Sequence, residues 1–343
     1  RDKHVTGVQT CALPILGLYA QQHRGQEGAG VVSSDGKELH RHMGQGLVSD
    51  VFSNPEVFDS LVGDSAIGHV RYSTTGNSDA ENVGPLTFNM GDYSLSIAHN
   101  GNLVNIDGIR KQLQDDGALF QTSTDTEIII HLLAREKGNT LAEKLGKVLN
   151  KIEGAYSLIL LSPNEIIAAR DPHGIRPYCM GKLKDTLVFA SETCALDLLG
   201  AEYVREVKPG EIIVANDDGF YSQPFTEPQE PKHCIFEYIY FSRPDSQIFG
   251  KNVDKMRRAF GRKLSRENPD ETGDIVISVP DSSNTCALGY SQESGVKHEI
   301  GLIRNHYVGR TFIFPSQRLR DVSVRLKFNT VKEIGRASCR ERV

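Results

Sequence analysis

The sequence predicts an α+β domain followed by the beginning of an α/β one, and three observations carry that prediction. Up to residue 216, short strand-like runs outnumber helical segments and are joined by hairpin signals. Two segments of helical periodicity interrupt those runs. Beyond residue 232 the pattern becomes a long helix, an apolar strand-sized run, a polar turn and another helix, which is half of a βαβ unit.

Taken in order, residues 16–50 read as a short helix and then strands. Asp35-Gly36, between the extended runs of "GVVSSDGKELHRH", marks a hairpin. "SAIGHVRYST" and "YSLSIAHNGNL" are strands that run into polar, glycine-containing loops. "TSTDTEIIIHLLARE" is a helix, with Thr124 and Glu127 spaced as a capping box ahead of Ile128, Ile129, Leu132 and Leu133. "TLAEKLGKVLNKI" is a second helix, with Leu141, Leu145, Val148, Leu149 and Ile152 on one face. "AYSLILLS", "EIIAARD", "TLVFASE" and "EIIVAND" are further strands. Residues 216–232, with three prolines, read as a linker. After it come the helix "NVDKMRRAFGRKLSRE" and the strand-turn-helix "GDIVISVPDSSNTCALGYSQESG".

Composition narrows the function classes. The chain has 343 residues, ample for two domains, and a net charge of −5, which argues against nucleic-acid or acidic-membrane binding. Its longest apolar runs are strand-sized. The six cysteines lack CxxC spacing and read as reduced thiols of a cytoplasmic protein.

Both ends break with the rest. "VTGVQTCALPI" and "IGRASCRERV" are what a common short-read sequencing adapter encodes when translated. Residues 1–15 and 334–343 are therefore expected to be adapter-derived, with natural sequence over 16–332. On that expectation Cys11 is not a nucleophile, and the natural cysteines are Cys179, Cys194, Cys234 and Cys286.

Four stretches carry possible chemistry. In "AHNGNL", Asn100 offers a side-chain NH₂ and Gly101 lets a backbone N–H approach a ligand, a pairing suited to a developing oxyanion. On the hexapeptide alone a plain Asn-Gly turn is the simpler reading. "GHVRYSTTG" places Arg71 after a strand, where its fork suits a carboxylate. Asp125 in "TSTDTE" is either helix-dipole decoration or a partner for an ammonium group. Arg24 lies in the glycine-rich "QHRGQEGAG".

In this order the motifs resemble the glutaminase domain of the N-terminal-nucleophile (Ntn) amidotransferases. With "DPHGIRP", "ASETCALD", "VKPGE", "CIFEYIYFSRPDS" and "NHYVGRTFI", the resemblance extends to the glutamine phosphoribosylpyrophosphate (PRPP) amidotransferases over essentially all of 16–332. It implies a four-layer αββα Ntn-hydrolase glutaminase domain over 16–225, lacking its N-terminal strand. A truncated type I phosphoribosyltransferase domain would then fill 226–333. In such enzymes an N-terminal cysteine attacks the glutamine amide and ammonia passes to PRPP. The product is 5-phosphoribosylamine, at the first step of purine synthesis.

By the same resemblance, Asn100 and Gly101 form the oxyanion hole. Arg71 and Asp125 clamp the glutamine carboxylate and ammonium, with Thr74 nearby and Arg24 supporting the nucleophile side. Ser282, beside Asp281, approaches a Mg²⁺ ion, while Arg304 and Arg310 meet PRPP phosphates. His306 stands where an arginine is expected. Cys234 matches a [4Fe–4S] ligand of some members, although a small buried hydrophobe is the simpler reading. Purine nucleotides as feedback ligands and a homo-oligomer are implied for the parent, with no nucleic-acid or membrane partner. The chain itself is expected to complete neither active site. Other Ntn amidotransferases, such as glucosamine-6-phosphate or asparagine synthetase, share the first domain, but "VPDSS" and "YVGRTFIFPSQ" favour phosphoribosyl transfer. A non-catalytic glutamine- or nucleotide-binding regulator is the alternative from another class.

Overall fold

The computed structural model describes residues 12–72, 80–227, 229–269, 273–308 and 317–332. They fall into two compact units: Arg1–Glu237 with Ser246–Gly250, and Tyr238–Asp245 with Lys251–Val343.

The first unit opens with helix α1 (Ala12–Ala20), which starts earlier than the expected Leu16. Ile15, from the segment read as foreign, is buried beside Leu18 because an apolar side chain within reach of a core enters it whatever its origin. Strands β1 (Gly28–Ser34) and β2 (Leu39–Gln45) form the expected hairpin. Asp35 Oδ1 accepts from the amides of Lys37 and Glu38, both at 2.9 Å, and Gly36 takes φ 87°. After short helices α2 (Val48–Val51) and α3 (Glu56–Ser60), β3 (Ser65–Arg71) pairs with the other edge of β1.

The central sheet draws on strands from the rest of the unit. It contains β4 (Leu86–Asn89), β5 (Ser94–Leu103), β6 (Gly154–Leu161), β7 (Glu165–Arg170), β11 (Glu211–Asn216) and β12 (Gly219–Pro224), in the order β12-β11-β7-β6-β5-β4. A separate sheet, β10-β8-β9, is built from β8 (Cys179–Leu183), β9 (Thr186–Ala190) and β10 (Glu202–Glu206).

Burial explains the layering. Helices α4 (Ile106–Asp115), α5 (Thr126–Arg135) and α6 (Leu141–Leu149) cover one face of the central sheet. There Ile129, Leu133, Leu145 and Val148 pack with Leu158, Leu160, Ile212 and Val214. On the opposite face Leu161 meets Val32 and Ile67, while Ala168 and Ile213 meet Tyr178 and Met180. The two small sheets are covered in turn by α1 and α7 (Thr193–Leu199). The architecture is the expected αββα. It accounts for the unbroken apolar run of β6: both its faces are covered, so alternate polar residues have nowhere to go.

Two local expectations fail in this unit. The capping box of α5 does not form: the N-cap is Asp125, and Glu127 turns back to accept from the amides of Gln121 (2.8 Å) and Thr122 (2.7 Å). On α6 the N-cap does form: Thr140 accepts from the Glu143 amide (3.1 Å), while Glu143 accepts from the amide of Asn139 (3.0 Å), one residue before the cap. The segment read as a linker starts with β12, joined to β11 by a two-residue turn with Asn216 opposite Gly219. "NDDG" was a hairpin signal that the following prolines obscured.

The second unit contains β14 (Lys251–Asn252), α8 (Val253–Glu267), α9 (Asn284–Ser294), β15 (Leu302–Arg304), α10 (Gln317–Lys327) and β16 (Phe328–Thr330); β13 (Gln247–Ile248) belongs to the first unit. Asn252 caps α8 by accepting from the Lys255 amide at 3.0 Å. Helices α8 and α9 cross at two glycines: a Cβ on Gly261 would lie 1.9 Å from the Cys286 carbonyl oxygen, and one on Gly289 would lie 2.1 Å from that of Arg258. The expected parallel strand in "DIVISV" is not formed. Among the described residues that segment makes one parallel bridge, Val276 to His298, because it has no neighbouring strand to pair along.

Candidate active site

Asn100 and Gly101 lie inside β5, not in a turn after it. Asn100 stands opposite Ser157 of β6, and Gly101 opposite Tyr156. Glycine is required at 101 by the neighbouring strand: a Cβ there would lie 1.9 Å from the Ala155 carbonyl oxygen and 2.7 Å from His99 Nε2. The Asn100 side chain leaves the sheet and its Nδ2 donates to Ser191 Oγ at 3.2 Å. Ser191 follows β9, so this bond ties the central sheet to the small one.

Asn100 also lines a cavity of about 620 Å³ in the first unit. Its walls are β3 and β9, its floor comes from β5, β6 and β7, and α1 closes the top. Arg71, Asp125 and Gly101 are not among the residues that line this cavity. Two histidines link them to it. The His69 ring, two residues before Arg71 on β3, lies beside His99. His99 Nδ1 lies 3.5 Å from Asp125 Oδ1 and 3.2 Å from Thr126 Oγ1, while Nε2 donates to the Ala155 carbonyl at 3.4 Å.

Asp125 is buried and its Oδ2 accepts from the Leu103 amide at 3.0 Å. Burial alone would raise its carboxyl pKa, but His99 and the hydrogen bonds outweigh that and hold it below its ordinary value. It is an anion, as an ammonium partner requires. Arg71 is buried at the end of β3. Burial, with Arg71 adding to it, pushes the His69 imidazole down to about 4, so the ring is neutral at pH 7.

Arg24 is held elsewhere. Its guanidinium meets Glu192 through Nη1, and Glu237 through Nη2 (2.8 Å) and Nη1 (3.1 Å), all three residues being buried. Burial would lower its pKa, but the two carboxylates raise it. Glu192 also takes His23 Nε2 at 2.6 Å and Ser246 Oγ at 2.7 Å. Arg24 braces this cluster and does not line the cavity. Ser191 and Glu192 belong to "ASETCALD", which sequence reasoning quoted without assigning either. His69 was signalled by period-two spacing from Arg71 on a strand.

Thr74 and Arg310 lie outside the described residues. In the second unit Ser282 is half-buried just before α9, and the neighbouring Asp281 pairs with Arg304 Nη1. Cys234 falls in the first unit, with its amide donating to the Ile175 carbonyl and its Sγ 4.0 Å from Arg176 Nη1. Among the described residues no three His, Cys, Asp or Glu side chains are grouped to hold a metal.

Residues 69–198 match the family model described as a glutamine amidotransferase domain. The chain is 48% identical over 323 residues to the amidophosphoribosyltransferase of Bacillus subtilis, covering 94% of this chain and 67% of that protein. It is 49% identical over 324 residues to chloroplastic amidophosphoribosyltransferase 2 of Arabidopsis thaliana, covering 94% of this chain and 57% of that one. Among solved structures, the glutamine PRPP amidotransferase of B. subtilis complexed with ADP and GMP superposes with a TM-score of 0.87 at 46% identity, over 95% of this chain and 70% of that one. A structure described as the allosteric regulatory enzyme of purine biosynthesis gives 0.87 at 47%, over 94% and 69%. With close to half its residues identical over almost its whole length, the chain belongs to the amidophosphoribosyltransferase family.

Proposed function

We propose that the first unit is the glutamine-hydrolysing half of an enzyme that moves ammonia from glutamine to PRPP, yielding 5-phosphoribosylamine for purine synthesis, and that the second unit is part of the PRPP half. The observation that carries this reading is identity of 48% to an amidophosphoribosyltransferase over 94% of the chain, a span that includes both units. In it, Asn100 donates its amide N–H to the oxyanion that develops on the glutamine carbonyl, and Gly101 adds a backbone N–H. Arg71 and Asp125, with Thr74, hold the two charged ends of the amino acid. Ser282, Arg304 and Arg310 serve the PRPP side, where Mg²⁺ arrives with the substrate's phosphates. Purine nucleotides act as feedback ligands of a cytoplasmic homo-oligomer.

The clamp is testable on the chain as it stands. Glutamine binding followed by calorimetry should weaken about 10- to 100-fold in Arg71→Ala and in Asp125→Asn, the cost of one charged hydrogen bond. Circular dichroism would check that both variants remain folded. Unchanged affinity in folded variants would overturn the assignment. Glutamate release by the chain, abolished by Cys11→Ala, would overturn the reading of residues 1–15 as foreign.

A further inference from the structure

The turn that leads into Asp125 is held by side chains. Four consecutive amides, those of residues 121–124, each donate to one. Glu127 takes the Gln121 and Thr122 amides at 2.8 and 2.7 Å, and the Thr122 hydroxyl at 2.7 Å. Asn82 Oδ1 takes the Ser123 amide at 3.1 Å, and Asn82 Nδ2 donates to Ser123 Oγ at 3.0 Å. The Thr124 amide meets Thr122 Oγ1 at 3.3 Å. On the carbonyl side Arg110 donates to Thr122 (3.3 Å) and Thr124 (2.6 Å), and its guanidinium lies 4.1 Å from the centre of the Phe120 ring. A turn whose amides go to side chains takes its shape from which side chains are there.

Asn82 differs from the other supports in where it comes from. Glu127 and Arg110 stand on α5 and α4, the helices that the turn joins. Asn82 is 3% exposed and ends the 3₁₀ turn Ala80–Asn82, in the segment between β3 and β4. β3 ends at Arg71, and Ser123 lies two residues before Asp125. We propose that Asn82 is a positioning residue of the glutamine site. It fastens the segment that follows Arg71 to the turn that aims Asp125, and so sets the direction of that carboxylate without touching the substrate. This role rests on the glutaminase reading, in which Arg71 and Asp125 hold the two charged ends of one amino acid.

The sheet fixes Asp125 from the other side. Its Oδ2 accepts from the amide of Leu103, the last residue of β5, at 3.0 Å, and its Oδ1 lies 3.5 Å from His99 Nδ1. The carboxylate therefore sits between a strand and a turn whose shape depends on Asn82. Without the Asn82 side chain, water can take the Ser123 amide and hydroxyl, because Gln121 and Ser123 are exposed. The turn then relaxes without unfolding the unit. The cost falls on the bound state, in which the turn must be ordered again. A charged hydrogen bond depends on direction, so a carboxylate that swings loses part of its hold on an ammonium group.

The test is L-glutamine binding by the full chain, followed by calorimetry, with thermal melts of every variant. Asn82→Ala is expected to weaken binding about tenfold. Ser123→Ala, which keeps its amide bond to Asn82, should weaken it about two- to threefold. The decisive measurement is a double-mutant cycle. In an Asp125→Asn background, Asn82→Ala should change affinity by less than about twofold, because the group that it aims is already gone. A general structural defect would carry the full loss into that background, and that result overturns the proposal. Affinity of Asn82→Ala equal to the parent's overturns it as well. Where Asn82→Ala fails to fold, the same cycle is read with Ser123→Ala. The two readings fail differently. Unchanged affinity in folded Asp125→Asn overturns the clamp, and the role of Asn82 with it. A loss in Asp125→Asn with none in Asn82→Ala overturns the role of Asn82 and leaves the clamp standing.

Discussion

The same strand-like signal has opposite outcomes in the two units. "YSLILL" becomes β6, flanked by β5 and β7 and buried on both faces. "DIVISV", with four β-branched residues to the one of "YSLILL", forms one bridge. Neither propensity nor length accounts for the difference. What differs is the company: the partners of β6 lie within the same unit, whereas among the described residues "DIVISV" has one bridge, where Val276 donates to the Lys297 carbonyl and accepts from the Glu299 amide on either side of His298. A strand is a property of a pair, and β-propensity is expressed only where a neighbour completes the ladder.

Buried arginines offer the sharpest way to break this comparison. In the first unit Arg24 joins two buried carboxylates; in the second Arg257 donates to the carbonyls of Tyr238 (2.6 Å) and Ser242 (2.7 Å). Arg24→Ala removes the cation that bridges Glu192 and Glu237, leaving His23 and Ser246 on the first and Arg176 on the second, and is expected to cost about 3–5 kcal/mol. Arg257→Ala leaves carbonyls rather than charges, and is expected to cost about 1–3 kcal/mol. Urea melts of the two variants would check the order, and equal losses would mean that the carboxylates are protonated or hydrated once the arginine is gone.

A pH profile sharpens it next. The His69 imidazole is held at about 4 in the folded chain and sits near 6.5 when unfolded. Between those values the unfolded chain binds a proton that the folded chain does not. Stability therefore falls as pH drops from 6.5 to 4 and is flat with respect to this group below that. The loss is about 3 kcal/mol, and His69→Gln should remove it. Identical slopes in the variant and the parent would show that the ring is solvated in the cavity.

Much of the fold was legible, and the misses have physical causes. Periodicity gave the individual strands and helices, and the four-layer order came from the resemblance of the motifs to the amidotransferase family. The capping box of α5 was misread because spacing alone does not say which backbone N–H a carboxylate reaches, and Glu127 had the Gln121 and Thr122 amides as rivals. Asn100 was recognised as a chemical residue, but its bond to Ser191 joins positions 91 apart in sequence, and no local pattern announces such a pairing. Gly101 was read as serving a ligand, and the structure gives a nearer reason in the Ala155 carbonyl.

Gly101 and Gly261 allow a matched test. Each would place a new Cβ 1.9 Å from a carbonyl oxygen, the first within a sheet and the second between two helices. Gly101→Ala is expected to cost about 1–3 kcal/mol through strain between β5 and β6. Gly261→Ala should cost less than Gly101→Ala, since α8 and α9 can separate as rigid rods and alanine gains about 1 kcal/mol of helix propensity over glycine. Thermal melts in which Gly261→Ala is the worse of the two would show that the helix crossing is the less yielding of the two contacts.

The smallest effect on stability tests the site itself. Ser191→Ala removes the hydroxyl that accepts from Asn100 Nδ2, a single half-buried bond between neutral groups. Such a bond contributes about 0.5–1.5 kcal/mol, so the melting curve should barely move. The amide, however, loses the contact that fixes its direction toward the cavity. If Asn100 stabilises an oxyanion, an enzyme completed with its nucleophile should lose several-fold in kcat from Ser191→Ala, with KM nearly unchanged, because the amide is then ordered only at the transition state's expense. Asn100→Ala should lose far more, roughly 10²–10³-fold in kcat. A Ser191→Ala enzyme as slow as Asn100→Ala would mean that the hydroxyl, not the amide, faces the reacting carbonyl, and would reassign the role to Ser191.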